Sequence, residues 1–191
     1  MVTLNRIYTR MGDGGKTRLA TGETVSKASL RVEAYGGVDE LNAVIGMARL
    51  HTTGDADLDP LLARVQNDLF DLGADLATPD RGHAGPAALR IVASQVDRLE
   101  AEIDALNAPL SDLTSFVLPG GSPASAALHL ARTVCRRAER AAVAFAEAEG
   151  AGTHHHALRY VNRLSDLFFV AARFANARGA RDVLWTPGGT R

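Results

Sequence analysis

Apolar residues recur along this chain at intervals of three and four, the period of a helix that packs on one side. The first such run spans about residues 29–50, with Leu30, Ala34, Val38, Leu41, Val44, Ile45 and Ala48 in its stripe. Gly36 and Gly37 interrupt it, which marks either a weak start or the close approach of another helix. A second run, about 58–77, carries Leu61, Leu62, Val65, Leu69, Leu72 and Leu76. After a linker over 78–86, a third run of about 87–108 carries Leu89, Val92, Val96, Leu99, Ile103 and Leu106, and Pro109 stops it. Pro119-Gly120-Gly121 cannot continue a regular element. Ser122 then offers an N-cap hydroxyl and Pro123 suits the first helical position, where its missing N–H costs nothing. Nothing breaks the helix that follows until Gly150. A fifth run, about 153–178, turns Leu158, Val161, Leu164, Leu167, Phe168 and Ala171 inward and ends at Gly179. Five helices with short connections and no alternating strand pattern predict an all-α, up-and-down five-helix bundle. Residues 1–27 read as irregular, and 179–191 as a short, partly apolar tail.

Composition narrows the picture. With 191 residues, 46% hydrophobic and only 5% aromatic, the chain reads as one domain whose core is built from Ala, Leu and Val. A formal net charge of −1 argues against nucleic acid or an anionic membrane as a bulk partner, so any basic cluster is local. The lone cysteine, Cys135, allows no internal disulfide, fits a reducing compartment, and falls on an apolar helix face as an inert thiol. The opening MVTLNRIYTRMG lacks the apolar run of a signal peptide. No apolar stretch reaches the roughly 18 to 20 residues needed to span a bilayer. The expectation is a soluble protein of the cytoplasm.

Candidate chemistry concentrates on the helix after Pro123. Ala124, Ala127, Leu128, Ala131, Cys135, Ala138, Ala142 and Phe145 share one face, while Arg132, Arg136, Glu139 and Arg140 share another. Three guanidiniums stacked over two turns repel unless an anion lies across them, and their planar forks suit phosphate oxygens. A solvated face with Glu139 relieving the repulsion is the alternative, and spacing alone leaves both open. The small residues nearby, which let a ligand come close, favour a polyphosphate site. Gly15-Lys16-Thr17 looks like the tail of a Walker A loop, but Arg10 stands where its first glycine belongs, so that reading fails. The same Gly- and Thr-rich segment can wrap phosphates with backbone N–H groups or be a loose tail. His154-His155-His156 point in different directions and cannot share one ion; at a helix start they read as solvated. Asn162 and Asp166 sit one turn apart on the last helix.

Four segments in order carry a resemblance: Tyr8 to Asp13 (YTRMGD), Arg31 to Leu41 (RVEAYGGVDEL), Phe116 to Arg140, and Tyr160 to Asp166 (YVNRLSD). Together they resemble the PduO-type ATP:cob(I)alamin adenosyltransferases, trimeric five-helix bundles, over nearly the whole chain. The resemblance implies transfer of the 5′-deoxyadenosyl group of ATP to Co(I) of reduced cobalamin, with Mg²⁺ held through the ATP phosphates. It implies an N-terminal loop wrapping ATP through Thr9, Arg10, Met11 and Gly12, then Thr17 and Arg18, with Lys27 at the same site. From the long helix it implies Arg136, Arg137, Glu139 and Arg140, joined by Asn162 from the last helix. Arg132 is similar to a phosphate-touching arginine that pairs across the subunit interface with an aspartate, here Asp39. Phe116 looks like the aromatic that occupies the lower face of the corrin. Arg132, Arg136, Glu139 and Phe116 would thus carry the catalysis. Two positions depart from the family: Met11, where Thr is usual, offers only its backbone N–H, and Gly14 stands where Lys is common. The implied partners are two further copies of the chain, a reductase, and an acceptor enzyme dependent on adenosylcobalamin. Two other readings are a protein that binds and delivers adenosylcobalamin without making it, and a structural bundle with no ligand.

Overall fold

The break at Pro119–Gly121 produces the longest helix, and the bundle forms around it. A computed structural model describes residues 8–79, 88–150 and 154–191. Its helices are α1 (Leu30–Arg49), α2 (Leu58–Ala77), α3 (Ala93–Asn107), α4 (Pro123–Glu149) and α5 (His155–Phe174). They make an all-α bundle in which α4 lies between α1 and α5, with α2 against α1 and α3 against α5. Leu41, Ile45, Leu62, Leu69, Leu128, Leu164 and Phe168 lie fully buried where these helices meet. No helix among the described residues is long and apolar enough to cross a membrane.

Local chemistry sets α4 in place. Ser122 caps it as expected, its Oγ accepting from the Ser125 N–H at 3.1 Å. The same hydroxyl donates to the Ala175 carbonyl at 3.0 Å, while the Ser122 N–H donates to Asn176 Oδ1 at 3.1 Å. The end of α5 therefore clamps the start of α4. Gly121 is required at this junction, because its φ is +96° and a Cβ there would sit 2.4 Å from Asn176 Oδ1. Of the two readings of Gly36-Gly37, the structure supports close approach: a Cβ on Gly37 would lie 3.3 Å from Ala138 Cα on α4.

Several expectations need correction. The segment before α3 is extended, so α3 starts at Ala93 rather than at 87. Ile91 is buried there, whereas Leu89 and Val92, expected inward, are exposed. The cause is Asp75 near the end of α2, which takes the Ile91 N–H and the Arg90 guanidinium, each at 2.8 Å, and holds the strand-like approach. Helix α5 ends at Phe174, not 178, because Ala177, Arg178 and Gly179 all adopt positive φ. Leu30 at the start of α1 lies outside the core. The N-terminal segment is not irregular throughout: β1 (Lys16–Arg18) and β2 (Thr24–Ser26) pair antiparallel with Thr17 opposite Val25. Strands of three residues are too short to show alternation. His154 is not solvated; its side chain is buried, Nδ1 lies 2.8 Å from Asp75 Oδ1, and the ring packs on Phe145. His155 is exposed. Residues 1–7 of the N-terminal segment, 80–86 of the linker, and positions 87 and 153 at two predicted helix starts lie outside the described residues.

Asp75 thus ties α2, the approach to α3 and the start of α5 to one carboxylate with 2% side-chain exposure. Burial pushes its pKa up, but His154, the Ile91 N–H and Arg90 outweigh that and hold it below the usual carboxylate value. A depressed folded-state pKa stabilises the fold above the unfolded value, and that contribution is lost as pH falls through the folded one. Asp75→Asn should therefore lower the unfolding free energy in urea at neutral pH by about 3 kcal/mol. Between pH 5 and 3 the wild type should lose stability more steeply than the variant; parallel curves would exclude this role.

Candidate active site

The arginine face of α4 opens on a cleft between α4 and α5. Arg132 and Arg136 line it from α4, and Ser165, Asp166, Phe169 and Val170 line it from α5, around a volume of ≈ 180 Å³. Neither guanidinium has an ion pair or hydrogen bond among the described residues, and Arg132 Nε is buried without a partner. Burial and the neighbouring Arg136 both lower the pKa of Arg132, so the two cations repel each other. This is the repulsion that the spacing foretold, and Glu139 does not relieve it. Glu139 instead accepts from Asn162 Nδ2 at 2.7 Å. Asn162 Oδ1 in turn accepts from Arg163, which reaches Glu100 of α3 at 2.8 Å. Glu139 and Asn162, both anticipated from sequence, are thus held together at the rim.

The other residues of the arginine face divide. Arg140 is exposed and, among the described residues, donates only to the Arg136 carbonyl, at 3.1 Å. Arg137 turns toward α1 and pairs with Glu40 at 2.5 Å. Asp39, beside Glu40, is exposed and makes no ion pair among the described residues. Below the cleft, His129 is buried edge-on to Phe169, with Nδ1 unpartnered. Its pKa is lowered by burial first and by Arg132 second, which keeps a third positive charge away from the arginine pair. The thiol of Cys135, buried and donating to the Val161 carbonyl, is pushed far up by that burial and stays unreactive, as its position on the apolar face implied.

The N-terminal residues form a second cluster. Arg10, in the left-handed region at φ 64°, starts a turn closed by the Asp13 N–H on the Arg10 carbonyl and the Gly15 N–H on the Gly12 carbonyl. Lys27 folds back on this turn: its N–H donates to the Gly15 carbonyl, and its Nζ would lie 2.9 Å from a Cβ at Gly12. Gly12 is therefore the residue that lets the ammonium reach the turn. Thr9 and Met11 are exposed, and Thr17 and Arg18 follow on β1. The structure brings Arg10, Gly12, Thr17 and Lys27 into one small unit, but not to the arginine face of the same chain. The hairpin instead borders a second cleft, ≈ 300 Å³, with Phe145 and Glu149 at the far end of α4. Glu149 lies about 20 Å along the helix axis from Arg136 at 1.5 Å per residue.

Phe116 is held by a third device. The Val117–Leu184 bridge pairs its segment with the C-terminal tail, and the Trp185 N–H donates to the Phe116 carbonyl at 2.7 Å. The two rings sit 6.0 Å apart, and Phe116 remains 76% exposed. An aromatic so exposed is not an ordinary core residue of this chain. Sequence reasoning missed Trp185, whose only signal was the apolar character of the tail, and it missed Ser165 and Phe169, whose signal was their place one and two turns after Asn162.

A bundle with an unpaired arginine cleft, a glycine-rich turn and an exposed aromatic matches a known class. A family model described as cobalamin adenosyltransferase matches residues 7–175, and the chain belongs to that family. It is 52% identical to the corrinoid adenosyltransferase of Mycobacterium tuberculosis, with 100% of this chain and 97% of that one aligned. The corrinoid adenosyltransferase of Bacillus subtilis is 45% identical over 93% of this chain and 91% of its own. Among solved structures, a variant of the PduO-type ATP:corrinoid adenosyltransferase from Lactobacillus reuteri, complexed with cobalamin and ATP, superposes with a TM-score of 0.84. It is 38% identical and the match covers 94% of this chain and 99% of that one.

Proposed function

We propose that the protein transfers the 5′-deoxyadenosyl group of ATP to the Co(I) of reduced cobalamin, releasing triphosphate. The observation that carries this reading is the cleft with two unpaired guanidiniums, one of them with a buried, unpartnered Nε, in a chain of this family. In the reaction the electron pair of Co(I) attacks C5′, the Co–C bond forms, and the C5′–O bond breaks with its electrons leaving on triphosphate. Co(I) needs no general base. The chain has to align C5′ with cobalt and offset charge growing on the leaving group. Arg132 and Arg136 serve the second need, assisted by Arg140, Arg137 and the Thr9–Arg18 turn with Lys27; Glu139 and Asn162 orient the nucleotide at the rim. Met11 contributes its backbone only. A Mg²⁺ ion would be carried by the phosphate oxygens of ATP, since this ion keeps most of its water and binds through substrate phosphates.

Phe116 supplies an apolar surface against the lower face of the corrin, where it displaces an axial ligand and makes Co(I) easier to reach. The whole chain, 1–191, works as one domain. Because the turn and the arginine face lie apart in one chain, the site is shared between subunits of a homotrimer, Asp39 of one facing Arg132 of the next. The setting is the cytoplasm, with a reductase supplying Co(I) and an adenosylcobalamin-dependent enzyme receiving the product. Mixing the protein with ATP, Mg²⁺ and chemically reduced cobalamin tests the reading: the cobalamin spectrum should shift to that of the alkylated form. Binding of ATP and adenosylcobalamin without that shift would favour a delivery protein instead.

Three outcomes are expected. Arg136→Ala should fold normally yet lose about 100- to 1000-fold in kcat, about 2.7–4 kcal/mol, as for a lost oxyanion donor; near-normal kcat would remove the polyphosphate role. Phe116→Ala should slow the reaction from Co(II) more than the reaction from pre-reduced Co(I), and equal losses would point to a misplaced corrin instead. In sedimentation the protein should run as a trimer, and Asp39→Asn should weaken both assembly and turnover. A fully active monomer would rule out the shared site.

A further inference from the structure

The cleft holds one group that triphosphate binding does not explain. Asp166, on α5, lines the cleft together with Arg132 and Arg136 of α4, lies within the field of Arg136, and makes no hydrogen bond or ion pair among the described residues. A carboxylate pointed at phosphate would oppose the binding that Arg132 and Arg136 provide. Elsewhere in the bundle acids that face arginines are paired, as Asp59 with Arg49, Glu102 with Arg64, and Asp182 with Arg173. The neighbouring carboxylate Glu139 is likewise occupied, by Asn162. Asp166 is left free beside Arg136 and Arg163, in a wall whose other residues are Ser165, Phe169 and Val170. The Ser165 hydroxyl is committed to the Asn162 carbonyl at 3.0 Å. Asp166 is therefore the open acceptor on the α5 side of the cleft, opposite its donors on α4.

We propose that Asp166 accepts a hydrogen bond from an uncharged donor of a substrate, a ribose hydroxyl of ATP or a carboxamide of the corrin, and so fixes which end of the cleft takes phosphate. A cleft with guanidiniums on one wall and a carboxylate on the other has a direction. An anion settles by the arginines, and a neutral hydroxyl or amide N–H settles by the acid, with C5′ between the two when the donor is ribose. Partial burial and Glu139 raise the pKa of Asp166 against the opposing pull of Arg163 and Arg136, which is the setting of a carboxylate that lacks its partner. The proposal rests on the adenosyl-transfer reading.

The experiment compares wild type, Asp166→Asn and Asp166→Ala, each checked by circular dichroism and thermal melting. Kinetics are followed with ATP, 2′-deoxy-ATP and 3′-deoxy-ATP, and with cobalamin against a cobalamin in which one carboxamide is hydrolysed to carboxylate. If the donor is ribose, Asp166→Ala raises KM for ATP about 10-fold or more, the scale of a hydrogen bond to a charged group. One deoxy analogue then shows the same loss with wild type and no further loss with the variant. If the donor is a corrin carboxamide, KM for cobalamin rises instead, and the hydrolysed corrinoid is rejected by wild type but regained by Asp166→Asn. Wild-type turnover accompanied by unchanged KM for both substrates and unchanged analogue discrimination in folded variants overturns the role of Asp166 and leaves adenosyl transfer standing. No turnover by wild type removes the underlying reading instead.

Discussion

How closely α1 and α5 approach α4 is the constraint on which the rest of this bundle depends. The buried face of α4 is mostly small: Ala131, Ala138 and Ala142 lie against the neighbours, and Gly37 of α1 meets Ala138 so closely that a Cβ there would sit 3.3 Å from the Ala138 Cα. Packing at that distance gains dispersion contacts over the whole length of the helix. It also leaves nowhere inside for a guanidinium, so Arg132 and Arg136 emerge along the α4–α5 seam and open it into a cleft. The clamp of Asn176 and Ser122 fixes the start of α4 and hence the height at which those arginines emerge.

Charge is distributed by the same logic. Buried or half-buried charges that hold elements together are paired: Arg31 with Glu149, Arg90 with Asp75, Arg98 with Asp68, Arg173 with Asp182. An unpaired ion in such places would cost several kcal/mol. In the cleft the pattern inverts, with Arg132, Arg136 and Asp166 left without hydrogen-bond or ion-pair partners among the described residues. A fold that satisfies its ions elsewhere and leaves these three open holds a stored electrostatic preference for a ligand. Phe116 follows the parallel rule for apolar surface, kept exposed by a backbone ladder to the tail rather than folded into the core.

The long amphipathic helices and their caps were legible in the chain because they depend on neighbours three or four residues away. Ser122-Pro123 opens α4 and Gly150 closes it as read, and the repulsive arginine face follows from the i, i+4 and i+8 spacing alone. The functional assignment was legible through four ordered segments rather than through any one of them. Tertiary structure decided whatever required two distant segments to meet. Ile91 rather than Leu89 or Val92 is buried because Asp75, in another helix, takes its N–H. His154 leaves water for the same carboxylate, against the usual fate of a polar helix start. The hairpin at 16–26 is flanked by the Lys27 N–H on the Gly15 carbonyl and the Leu19 N–H on the Glu23 carbonyl, contacts that no periodicity encodes. Asp166 became part of the site only when α5 packed on α4 and set it across from the arginines. Spacing along a helix fixes which side chains share a face; only packing between helices fixes what that face meets.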